Sequence, residues 1–399
     1  MSTQAGEPKA SRSWLPVILV ARTTLNTSFR IVYPFLPSIA RGLDISLAAA
    51  GGLVTLRMVA GLTAPFLGPL ADLRSRRSIM ELALLVFTMA CLLLAGIGTV
   101  PAAAMAFTLY GLAKVLYDPT MHAYIGDTVP YAERARAIGL VELAWSCAWL
   151  IGVPVSGFLI EHYGWRAPWA VLFGMGLLSL VVTRVWLPPG RHPAGRARGR
   201  VIALLLATWR DLLRRRRVVV LLLISLLMTA AVEAPFIVYG AWLETDFHLS
   251  LSTLGLASIV VGLAELGGEL GTALLTDRLG KRRSVLFGLA GLTASLLLLP
   301  VLAQLGLAAA LGGVVLVTLC FEFAIVSLLP LVTELVPEAR ASLLSLNMTA
   351  FSLGRILGAV MGGWLWQGQA GAIAPNAIAG AACALLAALL TLWGMVELK

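Results

Sequence analysis

The sequence predicts an all-α membrane protein of twelve transmembrane helices, arranged as two pseudo-symmetric six-helix bundles. Three observations predict it. The 399-residue chain is 59% hydrophobic and only 13% charged, where soluble chains are nearer a quarter charged. Apolar runs of about 20 residues, enough to cross about 30 Å of hydrocarbon, recur along its whole length. Landmarks of the first half also return in the second: Asp72 falls on Asp277, and Arg77-Ser78 on Arg283-Ser284.

The polar start, MSTQAGEPKASRS, runs directly into a span too long and too polar inside to be a cleaved signal peptide. Hydropathy punctuated by Gly, Pro and charge places spans 1 to 6 at 14–41, 48–71, 79–99, 101–126, 135–161 and 166–187. Spans 7 to 12 fall at 217–245, 251–274, 283–303, 307–332, 341–367 and 372–396. Backbone groups in lipid must be satisfied within the segment or in a closed barrel, and runs this long and continuously apolar are helices. The predicted division is an N-terminal bundle (1–187), a cytoplasmic basic linker (188–216) and a C-terminal bundle (217–399). Within the linker, VIALLLATWRDLLRRRR combines an apolar stripe with terminal arginines, as expected of a helix lying on an anionic leaflet. An extended start to span 7 is the alternative.

The side holding both termini and the even-numbered loops collects 22 of the 30 Lys and Arg residues. The positive-inside rule therefore predicts cytoplasmic termini in a multi-pass protein of the cytoplasmic (inner) membrane. It also accounts for most of the net charge of +10. The arginines are scattered over loops, so no nucleic-acid partner is expected. Cys91, Cys147, Cys320 and Cys383 lie in apolar segments, and no CxxC or HExxH spacing occurs, so no metal and no disulfide is expected.

The strongest motif is duplicated. GPLADLRSRRS (68–78) returns as LLTDRLGKRRS (274–284), DTVPYAERARA (127–137) as ELVPEARAS (334–342), and GVPVSGFL (152–159) as GAVMGGWL (358–365). Parallel duplication of six spans is a known plan for secondary transporters, with substrate held between the halves. Over nearly the whole chain the sequence resembles the major facilitator superfamily. That family's signature after span 2, G-x-L-A-D-R-x-G-R-R, is matched by Gly68, Leu70, Ala71, Asp72, Arg76 and Arg77, with Leu73 for the first basic residue and Ser75 for the glycine. The second copy keeps Asp277, Arg278, Gly280, Lys281 and Arg282, with Ala273 for the leading glycine. The resemblance implies a conformational gate at Gly68, Asp72, Arg76, Arg77, Asp277, Lys281 and Arg282, with contacts that form in one state and break in the other. An aspartate at a helix end can accept donors from the positive N-terminus of a helix in the opposite half, and the arginines can pair with acids such as Glu133. On span 5, Gly152, Pro154 and Gly157 are similar to an element of the proton-driven efflux members. Gly354, Gly358, Gly362 and Gly363 repeat on span 11, and small-residue packing alone also accounts for both sets.

Ionisable groups at membrane depth mark pathways by default. Lys114, Asp118 and His122 recur every four residues on one face of span 4, as either a proton relay or a self-satisfied structural ladder. At 1.5 Å per residue, Asp118 lies about 14 Å and Lys114 about 20 Å inside the anchor Asp127. Glu142, Glu265 and Glu322 lie deep on spans 5, 8 and 10 as further proton carriers, whereas the shallower Glu269 should pair with loop arginines. Arg30, Arg57 and Arg355 sit in the outer half, level with Glu233, either as charge pairs between the halves or as ligands for an anionic substrate. Arg22, nearer the inner surface, should snorkel. Asn26 and Asn347 are candidate substrate donors or helix glue.

The expected function is secondary active transport of a small molecule by alternating access, as a monomer and without a cofactor. Proton-coupled efflux of an amphipathic compound leads. Proton symport of a polar nutrient or organic anion, and a lipid-translocating or sensor member of the fold, are the alternatives. No nucleotide-binding motif and no nucleophile–base set is present, so no enzyme is expected.

Overall fold

The computed structural model describes residues 14–63, 75–188, 198–368 and 371–394. All its regular elements are helical, and no strand occurs among the described residues. Span 1 is two helices, α1 (Leu15–Arg30) and α2 (Val32–Leu43), joined through Ile31 with the backbone bonds Ile31 N→Thr27 O and Phe35 N→Ile31 O intact. It is one continuous span. Asp44, in the left-handed region at φ 55°, then turns the chain, and Ser46 starts α3 (Leu47–Gly61) by accepting from the Ala49 amide. The angle of 118° between α2 and α3 is thus the hairpin between spans 1 and 2. The rest of span 2, with Gly68 and Asp72, lies outside the described residues.

Spans 3 to 12 follow as ten helical stretches long and apolar enough to cross a membrane, and with spans 1 and 2 they make the twelve-helix arrangement. They comprise α4 (Arg76–Gly96), α5 (Val100–Thr128) and α6 (Tyr131–Cys147), the last continuing through a wide turn, Ala148–Gly152, into α7 (Val153–Tyr163), and then α8 (Ala167–Trp186). The wide turn precedes Pro154, whose ring cannot continue the ordinary ladder. The linker holds a separate helix, α9 (Arg198–Arg214), which Arg215 divides from α10 (Arg216–Phe236) with an extended backbone, ψ 111°. Leu212 of α9 is buried against the second bundle. Span 7 finishes as α11 (Tyr239–Phe247), and α12 (Leu251–Ala257) with α13 (Ile259–Leu279) makes span 8. The last four are α14 (Lys281–Gln304), α15 (Leu307–Leu335), α16 (Arg340–Gly368) and α17 (Ile373–Gly394).

Helix ends explain one departure within the duplicated motif. Gly280 sits at φ 86°, a conformation that favours glycine, and turns α13 into α14. Its counterpart Ser75 sits at φ −60° and caps α4 by accepting from the Ser78 amide at 3.2 Å. A side-chain cap replaces a backbone turn, so glycine is not needed there.

The two bundles meet mainly at the face opposite the termini, hereafter the far face. A Cβ at Gly240 of α11 would stand 1.9 Å from the Pro34 carbonyl oxygen of span 1, and one at Gly157 of α7 2.5 Å from the Leu251 oxygen of span 8. Arg41 pairs with Glu244 at 2.8 Å, and Glu161 accepts from the Ser252 amide at 2.5 Å; both contacts join the bundles. One apolar cluster runs from the first bundle into the far ends of α11, α12, α15 and α17, while the termini-side half of the second bundle keeps a cluster of its own.

At the termini face several ionic contacts lie within a bundle. Arg76 pairs with Asp127 at 3.6 Å, and Arg77 with Glu81 at 2.8 Å and with the Leu187 carbonyl and that of Arg184. Lys281 pairs with Glu334, and Arg282 donates to the Thr391 and Leu392 carbonyls. Arg215 of the linker meets Glu338 at 3.0 Å; a backbone hydrogen bond and then Arg215 hold that carboxyl below the ordinary range. Asp277 is exposed and makes no ion pair among the described residues, so the expected aspartate latch to the opposite half is not formed here. The described contacts between the bundles thus lie at the far face and around the middle of the spans.

Candidate functional site

Between the bundles lies a cavity of about 490 Å³, including its opening to solvent, lined by Arg30, Tyr33, Glu233, Glu265, Glu322 and Arg355 among others. Span 1 contributes Arg30 and Tyr33. Spans 7, 8, 10 and 11 contribute the acids and Arg355. Ion-pair and hydrogen-bond geometry ties the two sides together. Arg30 Nη2 meets Glu265 Oε1 at 2.6 Å, and Trp149 donates to the same oxygen at 3.1 Å. Tyr33 donates its hydroxyl to Glu233 at 3.3 Å, and Arg355 stands 4.0 Å from the same carboxylate. Glu322 is half-buried and has no ion pair or hydrogen bond among the described residues. Three carboxylates therefore face two guanidinium groups, and Phe236, Phe321, Val232 and Tyr33 supply the apolar wall.

Arg57 stands behind this wall. It is buried, donates to the Phe29 carbonyl at 3.0 Å and to the Tyr33 hydroxyl at 3.4 Å, and lies 4.3 Å from the Phe29 ring centroid. It props Tyr33, and it does not line the cavity.

A second polar centre lies wholly within the first bundle. Lys114 donates to Asn26 Oδ1 at 2.6 Å and to Asp118 at 2.7 Å. Arg22 donates to the Val141 carbonyl at 3.0 Å, pairs with Glu142 at 2.8 Å and reaches Asp118 at 3.6 Å. His122 turns to Glu142 at 2.9 Å. The relay read along one face of span 4 is thus divided: Asp118 serves Lys114 and Arg22, while His122 belongs with span 5. Arg22, expected to snorkel, is 2% exposed and is the hub of this centre. Its two acids come from neighbouring helices, so snorkelling would leave Glu142 without its arginine and Asp118 with Lys114 alone.

Other expectations are also revised. Asn26 is wholly buried, accepting from Lys114, and Asn347 is helix glue, accepting from Ser225 at 2.6 Å. Glu269 pairs with no loop arginine among the described residues. The span 11 glycines admit span 7: a Cβ at Gly354 would lie 2.1 Å from the Leu226 oxygen. Sequence reasoning missed Tyr33 and Asn376. Tyr33 is neutral, and only its place three residues after Arg30 marks it. Asn376 donates to the Ala234 and Gly362 carbonyls, at 2.8 and 2.9 Å, beside the end of α10 where helical partners run out.

The chain matches the Major Facilitator Superfamily over residues 18–240 and 221–398. It is 25% identical over 359 residues to the uncharacterized MFS-type transporter YceJ of Bacillus subtilis, covering 90% of each chain. It is also 25% identical over 286 residues to the multi-drug resistance efflux pump PmrA homolog of Lactococcus lactis, covering 66% of each. In fold it superposes on the inward-facing, unoccupied structure of a bacterial homolog of the human lysosomal transporter Spinster. The TM-score there is 0.76 at 14% identity, covering 96% of this chain and 97% of that one. Twelve spans, a cavity between two bundles and matches over both halves lead to one conclusion: the chain belongs to the Major Facilitator Superfamily and is a multi-pass membrane transporter.

Proposed function

We propose that this transporter exports an amphipathic small molecule across the cytoplasmic membrane in exchange for protons, as a monomer with both termini in the cytoplasm. The observation that carries this reading is the cavity, aromatic-walled and holding one more carboxylate than guanidinium, with Glu322 unpaired. An unpaired acid beside an apolar wall suits a group that alternates between holding a proton and facing a substrate. On this reading the substrate and proton pathway runs past Arg30, Glu233, Glu265, Glu322 and Arg355, which the cavity lining and the cross-bundle contacts of Arg30 with Glu265 and of Tyr33 with Glu233 support. Lys114, Asp118, His122 and Glu142 stand on the approach within the first bundle.

The bundles (1–187 and 217–399) rock about this cavity, with the basic linker (188–216) against the inner leaflet. In the state closed to the cytoplasm, Arg76, Arg77, Lys281 and Arg282 exchange their present within-bundle contacts for contacts between bundles, and Gly68, Asp72 and Asp277 of the repeated motif join them. The likeness to the Lactococcus lactis PmrA homolog, a multi-drug resistance efflux pump, supports export.

The test is a liposome with an acidic lumen containing the purified protein. Ethidium should accumulate in the lumen while the gradient lasts and stop when an ionophore collapses it, and Glu322→Gln should abolish the gradient-driven part. Uptake unaffected by the gradient would overturn the proton exchange. Arg30 and Arg355 on the wall favour one alternative, symport of an organic anion, in which Arg355→Gln would remove anion uptake instead.

A further inference from the structure

Arg30 ends α1 and crosses to the other bundle, where it meets Glu265 at 2.6 Å. On the way its guanidinium lies over two indoles, 4.7 Å from the Trp145 ring centroid and 5.1 Å from that of Trp149. Trp149 also donates from Nε1 to Glu265 at 3.1 Å. Two indoles one turn apart on span 5, closed by a carboxylate that an indole N–H orients, are the parts of a site for an organic cation. Nothing in that arrangement requires the cation to be attached to the chain. The fit of the resident guanidinium is also incomplete, since Arg30 Nε is buried without a hydrogen-bond partner. Both Arg30 and Glu265 line the central cavity, so a ligand there reaches the site directly.

We propose that Arg30 is a tethered occupant of an aromatic cation site made by Trp145, Trp149 and Glu265. The transported compound is an organic cation, a guanidinium or alkylammonium group on an apolar body, that takes its place. The proposal rests on the transporter reading of the cavity but not on proton exchange. Its consequence is mechanical. The Arg30–Glu265 bond joins the bundles at the cavity, so displacing Arg30 breaks a cross-bundle contact in the act of binding substrate. Glu322, unpaired on the same cavity wall, is available to receive the displaced guanidinium, so no charge is left bare.

A tethered competitor lowers apparent affinity by the fraction of time the site is free, and removing it should raise affinity. The test is equilibrium dialysis of benzylguanidinium against the full-length protein in nanodiscs, with its neutral isostere benzylurea as control. The wild type should prefer benzylguanidinium at least about tenfold. Arg30→Gln should tighten that binding by about 10- to 100-fold, and Trp149→Leu or Glu265→Gln should remove it. Arg30→Met, which keeps an apolar stem of similar length, carries the same expectation if the glutamine variant folds poorly. Equal binding of benzylurea, or unchanged or weaker cation binding in both Arg30 variants, would overturn the proposal. Tightened binding without gradient-driven transport would sink the proton coupling and leave the cation site standing.

Discussion

Asp118→Asn is expected to lower the stability of the folded protein by about 3 kcal/mol, because it leaves two cations short of a counter-ion. Lys114 and Arg22 are 12% and 3% exposed at their side chains, and both face Asp118, at 2.7 and 3.6 Å. Removing one partner of a buried ion pair typically costs about 3–5 kcal/mol. Asp118 is 22% exposed, so water recovers part of that, and the lower end applies. The cause is separable from simple loss of packing. In Lys114→Met combined with Asp118→Asn, no ammonium is stranded, and more than half the loss should return. Thermal unfolding in detergent of the two single variants and the double variant measures the coupling directly. A strictly additive double variant would show that the ammonium and carboxylate are not a unit.

The second large effect is conformational. Valine at position 240 should nearly abolish transport, because the far face could no longer close. Its Cβ alone would stand 1.9 Å from the Pro34 carbonyl oxygen, a backbone atom of the opposite bundle that cannot swing aside. Gly157→Val meets the Leu251 oxygen in the same way. Each bundle still folds, because the clash lies between bundles and disappears when they separate. Moving a two-state equilibrium from 1:99 to 99:1 takes about 5.5 kcal/mol, and overlap with backbone at such distances exceeds that unless the bundles shift. Gly139→Val is the control, since nothing beyond its own helix backbone lies within 4 Å of its Cβ. Transport should fall more than about 100-fold in the first two variants and stay near wild type in the control. Near-normal turnover in Gly240→Val would mean that the far-face crossing is not a gate.

The sequence was most informative where the physics is one-dimensional. An apolar run of span length reads as a helix from composition alone, and all described spans fall within a few residues of their expected limits. Depth was legible as well: Arg30, Glu233 and Arg355, placed at one level by counting residues, do converge on one cavity. Partnership was not. Counting along span 4 puts His122 on the face of Asp118, but it says nothing of Glu142 arriving from span 5 to take that imidazole. Arg22 was misplaced for the same reason: its depth suggested the lipid edge, while its two acids come from other helices. Tyr33 left little trace because an uncharged phenol in an apolar run carries no periodic signal. Its role comes from Arg57 behind it and Glu233 in front.

The central claim is that two bundles rock about the cavity bridged by Arg30 and Glu265, so that the two faces open in turn. Paired spin labels read this directly in a background without the native cysteines. One pair sits at the far face, on Asp44 and Leu249, and one at the termini face, on Pro130 and Glu338. On adding benzylguanidinium or changing pH, the far-face distance should lengthen as the termini-face distance shortens. If both distances move in the same sense, or neither moves under conditions that support transport, the rocking-bundle account is wrong.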